Sequence, residues 1–167
     1  MTLPSTEYRL IPLTQGQFAK VSPEDFDWLM QWKWGALWDD HSKGFYARHS
    51  FVIEGKKRGS IKMHRLILGL AKGDKRHADH ENHDTLDNRR SNLRIATLAE
   101  SSQNRRIRKD SKIGFKGVSD VYGRYQAKIT VNGKTIHLGY RSTAEAAHRE
   151  LYVPAAEKYH GKFARTK

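Results

Sequence analysis

The chain has 167 residues, and its 31 lysines and arginines outnumber 18 aspartates and glutamates to give a formal net charge of +13. That length suits one ordinary domain or two or three small modules, and that charge points to a polyanionic partner. There is no cysteine, which excludes disulfides and cysteine-ligated structural zinc as staples and leaves packing to hold the modules together.

The basic excess lies almost wholly after position 60: residues 1–60 hold 8 basic and 7 acidic groups, 61–110 hold 12 and 7, and 111–167 hold 11 and 4. No apolar run approaches the roughly 20 residues of a membrane helix, and the opening MTLPSTEYRL lacks the apolar core of a signal peptide. The expectation is a soluble, cytoplasmic protein without a membrane or an evident protein partner.

In chain order, RLIPLTQGQFAKV predicts two short strands turning near Gly16. SPEDFDWLMQW predicts a helix with Ser22 as N-cap, Pro23 in the first position and Glu24, Asp25 and Asp27 suited to its N-terminus. Trp32, Trp34 and Trp38, with Phe45 and Tyr46, are expected to form one apolar cluster. YARHSFVI and GKKRGSIKMHRLILGL predict two strands joined by a basic turn at Lys56, Lys57 and Arg58, the second leading into a short helix. His64 is placed on the strand entering the next segment, as a structural or phosphate-contacting residue.

The stretch DHENHDTLDNRR (79–90), followed at once by SNLR, carries the chemistry. It sets a carboxylate beside an imidazole, with Asn92 twelve residues after His80. Phosphodiester hydrolysis needs an activated water, neutralised phosphoryl oxygens and help for the departing 3′ oxygen, which a general base and one hard divalent cation supply. Histidine suits the base because its ordinary pKa is about 6.5. Magnesium needs few protein oxygens, and alternation along a strand lets Asp79 and His80 take different tasks. A zinc cluster of His77, His80 and His83 is the weaker alternative, since no cysteine supports it. Asn88, Arg89, Arg90 and Arg94 are read as loop-holding or phosphate-gripping residues, with a solvated charge run as the alternative.

LAESSQNRRIRKDS starts helical and turns into a basic connector ending near Gly114, where a domain boundary is placed. Beyond it, KGVSDVYGRYQAKITVNGKTIHLGYRS predicts three strands, the last two joined by Asn132-Gly133 in a type I′ hairpin. Tyr125, Ala127, Ile129 and Val131 share one face of the second strand, opposite Arg124, Gln126, Lys128 and Thr130. Ile136, Leu138 and Tyr140 lie opposite Thr135, His137 and Arg141 on the third. STAEAAHRELYVPAAEKY is the expected cover. In this helix Ser142 and Glu145 form a capping box, Ala146, Ala147, Leu151 and Ala155 form an apolar stripe, and Pro154 kinks or interrupts the chain. The polar face left open is basic and is read as lying in a groove of duplex DNA, where a β-ribbon fits, with a solvated surface as the alternative.

MHRLILG, ADH, LDNRRSNLRIAT and ESSQNRR together resemble the HNH endonucleases of phage and intron origin over residues 61–106. The resemblance implies an α+β fold with a ββα-metal core, and one Mg²⁺ or Mn²⁺ per site. Asp79 is the implied metal ligand, His80 the general base, and Asn92 the residue orienting that histidine through the intervening loop. The family completes its metal site with an Asn or His nine residues after the N-L-R asparagine. Here that position is Ser101, with Asn104 three further on, so either residue completes the site or the site is attenuated.

The C-terminal segment from KGVSDVYGRYQAKITV to the end resembles the AP2 DNA-binding domain, which reads the major groove with a three-stranded sheet. The expected organisation is an N-terminal strand and helix segment (1–60), an HNH ββα-metal module (61–106), a basic linker (107–113) and an AP2-like sheet with one helix (114–167). The implied function is a monomeric homing-type or phage endonuclease acting on double-stranded DNA. Its DNA contacts would come from Arg89, Arg90, Arg94, Arg105, Arg106, Arg108, Arg124, Gln126, Lys128, Thr130, His137 and Arg141. The rival is a DNA-binding regulator whose nuclease module has lost its second ligand. An RNA-binding or virion protein fits the charge but leaves the D-H to N-L-R spacing unexplained.

Overall fold

Strands β1 (Arg9–Pro12) and β2 (Phe18–Val21) pair antiparallel with Ile11 opposite Ala19, and the chain reverses through Gln15 and Gly16, both at positive φ. This computed structural model describes residues 7–53, 57–105, 107 and 111–166. They fall into two units, 1–97 and 98–167, each taken by itself below. Lys56 of the expected basic turn and two expected DNA contacts, Arg106 and Arg108, lie outside the described residues, while Lys57 and Arg58 stand on a strand rather than in the turn.

In the first unit, helix α1 (Pro23–Leu29) starts where the Ser-Pro-Glu signal puts it, but the hydroxyl of Ser22 does not cap it. The Asp25 amide already donates to the Ser22 carbonyl at 3.0 Å. The hydroxyl instead accepts the Arg90 amide at 2.9 Å. Strands β3 (Gly35–Asp39), β4 (Gly44–Ile53) and β5 (Lys57–Lys62) form an antiparallel sheet in that order. Helix α2 (Met63–Ile67) follows without a break, so His64 lies on a helix rather than on the strand expected for it.

The expected aromatic cluster divides. Trp28, Trp32 and Trp34 meet edge to face with centroids 5.8 and 6.3 Å apart. Trp38 is 48% exposed and pairs with Phe45 at 5.0 Å. Tyr46, the next residue on β4, points to the other face because successive strand side chains alternate. Ile11, Ala19, Val21, Leu29, Trp34, Ala47, Met63, Ile67 and Leu93 form the buried core, and fully burying side chains of this kind stabilises by about 1.5–3 kcal/mol each.

Strand β6 (His77–His80) pairs antiparallel with β8 (Leu93–Ala96), setting Asp79 opposite Arg94 and His80 opposite Leu93. Between them the two-residue strand β7 (Asp87–Asn88) runs parallel to β2 and ties the candidate site to the N-terminal hairpin.

The second unit opens with α3 (Leu98–Gln103). The Lys116 ammonium donates to the carbonyls of Gln103 and Arg105 at the end of that helix, and burial pushes its pKa down to about 8. Strands β9 (Val118–Val121), β10 (Arg124–Val131) and β11 (Lys134–Arg141) form an antiparallel sheet with β10 in the middle. Asn132 and Gly133 sit at φ of 50° and 77°, as a type I′ turn requires.

The pairing slips between Ala127 opposite Gly139 and Lys128 opposite His137. Leu138 is thus the extra residue of a β-bulge, and Gly139, at φ 124°, carries the bend that glycine tolerates. The bulge reverses facing for the rest of β11. Tyr140 joins Gln126 on the open face and Arg141 joins Tyr125 on the helix side, the opposite of strict alternation.

The covering helix runs as α4 (Ala144–Ala146), a π turn (Ala147–Tyr152), α5 (Val153–His160) and a 3₁₀ turn (Gly161–Phe163). Pro154 stands in the first turn of α5. With no N–H to give and a ring that crowds the carbonyl four residues back, it follows directly on the widened π turn. The cap is Thr143, whose hydroxyl accepts the Ala146 amide at 3.2 Å, and not Ser142. Glu145 instead faces Arg149 at 3.8 Å. Tyr152 and Ala156 join Ala147 and Ala155 in the core. Gly117 lets the Tyr152 ring approach so closely that a Cβ would fall 2.0 Å from it.

Candidate active site

His80 ends β6 and is 5% exposed. Its ring stands edge-on to His64, with centroids 4.9 Å apart, and 6.0 Å from Tyr46. The Nε2 atom lies 3.5 Å from the Asn88 side-chain oxygen, a long contact by hydrogen-bond standards. Burial pushes His80 below the usual histidine range, with Asn88 and nearby carboxylates pulling part of the way back. His64 is pushed further down, first by burial and then by repulsion from His80, Lys62 and Arg65. The pair is therefore neutral at neutral pH, the state in which an imidazole can accept a proton.

The loop from 81 to 92 is pinned by Asn92, which is itself buried. Its side-chain oxygen accepts the Asn82 amide at 3.0 Å, its side-chain nitrogen donates to the Asp87 carbonyl at 2.8 Å, and its own carbonyl accepts the Glu81 amide at 3.0 Å. One asparagine thus holds the chain just after His80 and just before Asn88. Asp87 adds a second tie, accepting from Asn82 at 2.9 Å and from the Arg89 guanidinium at 2.8 and 2.7 Å. Burial pushes its carboxyl up, but Arg89 and Asn82 more than offset this and hold it below the usual range.

Asp79 projects to the other side of β6 from His80, as alternation requires. One of its oxygens accepts from Arg94 Nε at 2.9 Å, with both side chains nearly buried. Ser101 is half-buried on α3, and Asn104 is buried just past its end, its amide donating to the Glu100 carbonyl at 3.2 Å. Among the described residues no three His, Asp or Glu side chains gather in a metal-holding group, so His77, His80 and His83 do not converge.

Three arginines of the motif have partners within the fold: Arg89 on Asp87, Arg94 on Asp79 and Arg90 on Asp25. Arg105 is exposed. On the open face of the second unit's sheet, Arg124 lies over the Tyr140 ring at 5.1 Å, and Gln126 donates to the Tyr140 hydroxyl at 2.7 Å. Lys128, Thr130 and His137 are exposed beside them. Arg141 faces the helix and donates to Glu150 at 2.8 Å.

Tyr46, His64 and Asn88 surround His80, whereas the sequence singled out only Asn92 as its helper. The sequence put Tyr46 in the aromatic cluster with Phe45, but alternation along β4 turns it to the other face. For Asn88 no local signal exists, since its place depends on β7 pairing with β2.

No family model matches the chain, and no solved structure matches it. The chain is similar to an uncharacterized HNH endonuclease of Acanthamoeba polyphaga mimivirus, 29% identical over 161 residues that cover 94% of this chain and 78% of the relative. That similarity supports a relation to the HNH nucleases.

Proposed function

We propose that the chain is a metal-dependent, homing-type HNH endonuclease that hydrolyses phosphodiester bonds in double-stranded DNA. The carrying observation is His80: an imidazole kept neutral by burial at a strand end, beside His64 and Asn88, next to the loop that Asn92 pins. In this reading His80 takes the proton of the attacking water, whose oxygen bonds to phosphorus as the bond from phosphorus to the 3′ oxygen breaks, and that oxygen takes a proton from solvent, leaving a 5′-phosphate and a 3′-hydroxyl. Asn92 acts by positioning, since its bonds run to the loop and not to the ring.

A hard divalent ion, Mg²⁺ or Mn²⁺, fits the donor chemistry of Asp79, a carboxylate with about four lone-pair sites. Sequence resemblance leaves the second oxygen ligand to Ser101 or Asn104. When bound, such an ion neutralises charge on the phosphoryl and departing oxygens.

Targeting is assigned to the open face of β9–β11, through Arg124, Gln126, Lys128, Thr130 and His137, in the manner of an AP2 domain. The protein is read as a monomer, encoded by a phage or mobile element and acting in the host cytoplasm. A regulator with an attenuated nuclease module is the second reading, and the hydroxyl of Ser101 in place of an amide or imidazole favours it.

Supercoiled plasmid incubated with the protein and Mg²⁺ or Mn²⁺ tests the proposal. Nicked or linear product is expected, reduced by about 10²–10⁴-fold in His80→Ala, the usual worth of a general base. Cleavage that persists undiminished in His80→Ala overturns the assignment.

A further inference from the structure

The sheet β3-β4-β5 sets two cations directly opposite one another: Arg48 on β4 is the register partner of Lys62 on β5. Like charges placed so are destabilising, and one carboxylate offsets them, Asp39, which lies 3.7 Å from the Lys62 ammonium. Among the described residues no carboxylate pairs with Arg48. Arg58 extends the same face, opposite Val52, beyond the pair of hydroxyls Ser50 and Ser60.

The face is also tied to the candidate active site. Tyr46 shares it, two residues from Arg48, and the Lys62 ammonium sits 3.7 Å above the Tyr46 ring. That same ring is 5.3 Å from His64 and 6.0 Å from His80. A cation held on an aromatic face has a fixed position, so Lys62 is presented beside the buried histidines rather than waving in solvent. Arg48 supplies a planar fork suited to two oxygens of one phosphate, and Lys62 a point charge for another.

We infer that Arg48 and Lys62 form a phosphate clamp, which holds the DNA backbone on the first unit's own sheet next to the strand that His80 acts on. This rests on the nuclease reading above. The polyanion supplies counter-charge to a face on which Asp39 pairs with Lys62 alone, and the hydroxyl pair lets the backbone run on toward Arg58.

The test uses the full chain, a duplex oligonucleotide, EDTA to prevent cutting, and fluorescence anisotropy across a salt series, with thermal unfolding of each variant. Arg48→Gln and Lys62→Gln should each lower the slope of log affinity against log salt by about 0.9, the value of one lost phosphate contact. Lys62→Arg should restore it. Arg48→Gln should unfold at the same temperature as wild type or higher, because it removes a repulsion, a result that a purely structural arginine would not give. Unchanged slopes in both glutamine variants, with wild-type plasmid cleavage intact, overturn the clamp and leave the nuclease reading standing. A wild type that neither binds duplex DNA nor cuts plasmid overturns both.

Discussion

Arg90 reaches back 65 residues to close a two-pronged bond on Asp25, Nε to Oδ2 at 2.8 Å and Nη2 to Oδ1 at 2.7 Å. Asp25 is 1% exposed and also accepts the Trp28 indole at 3.0 Å, while the Arg90 amide donates to Ser22 at 2.9 Å. The chain that leaves β7 is thereby bolted to helix α1, and the loop carrying Asn88 and Asn92 inherits its position from that bolt.

Arg90→Met should accordingly lower stability by about 2–3 kcal/mol, since it strands a buried carboxylate, with some of the loss screened because the arginine is half exposed. Urea unfolding measures this. The salt dependence of DNA binding should stay as in wild type. A slope reduced by about 0.9 with stability intact would instead make Arg90 a phosphate contact.

The two neighbouring histidines carry a pH signature. In the unfolded chain each titrates near 6.5, and in the fold both lie lower, His64 the further. Below that unfolded value the unfolded chain binds more protons than the native one, so stability is complete above about pH 6.5 and is lost as pH falls, by up to about 1.4 kcal/mol per pH unit for each histidine. Unfolding midpoints should drop between about pH 7.5 and pH 5.5, and His64→Phe should flatten the drop. A profile as steep in His64→Phe as in wild type would contradict the buried neutral pair.

What was legible in the sequence was local. Gly16 and Asn132-Gly133 announce their turns because positive φ selects few residues, and Ser-Pro-Glu places the start of α1 at Pro23. What was hidden depended on distant partners. Ser22 leaves its cap for Arg90, Asn88 meets His80 through the pairing of β7 with β2, and Arg94 closes on Asp79 across the β6–β8 ribbon. The bulge at Leu138 belongs to the same class, because alternation predicts facing only while the register holds. His80 and Asn92 could be picked out by residue type and spacing, but His64 and Tyr46 beside them could not.

That bulge separates two neighbours in a measurable way. Tyr140 supports Arg124 and Gln126 on the open face, whereas Arg141 binds Glu150 on the helix side. Tyr140→Ala should weaken duplex DNA binding and lower its sequence preference, as loss of a positioned base-reading side chain does, by about 1–3 kcal/mol. Arg141→Ala should change stability little, as the loss of an exposed ion pair does, and leave sequence preference unchanged. The reverse ranking in a competition assay would restore strict alternation to β11.

On the proposed nuclease reading, Ser101 is the residue expected to set the strength of cleavage. A neutral hydroxyl is a weaker donor to a divalent ion than an amide oxygen or an imidazole, and altering groups that support a metal site typically changes affinity or activity by about 10–100-fold. Ser101→Asn should therefore raise plasmid cleavage within that range and lower the Mg²⁺ concentration needed, while duplex binding in EDTA stays the same. If Asn104 is the ligand instead, Ser101→Asn gives no gain and Asn104→Ala abolishes cleavage; because Asn104 is 5% exposed, its unfolding temperature has to be measured beside its activity. If wild type and Ser101→Asn both bind duplex DNA and neither cuts it, the chain is a DNA-binding protein built on a nuclease frame, and His80 is a buried histidine of the core.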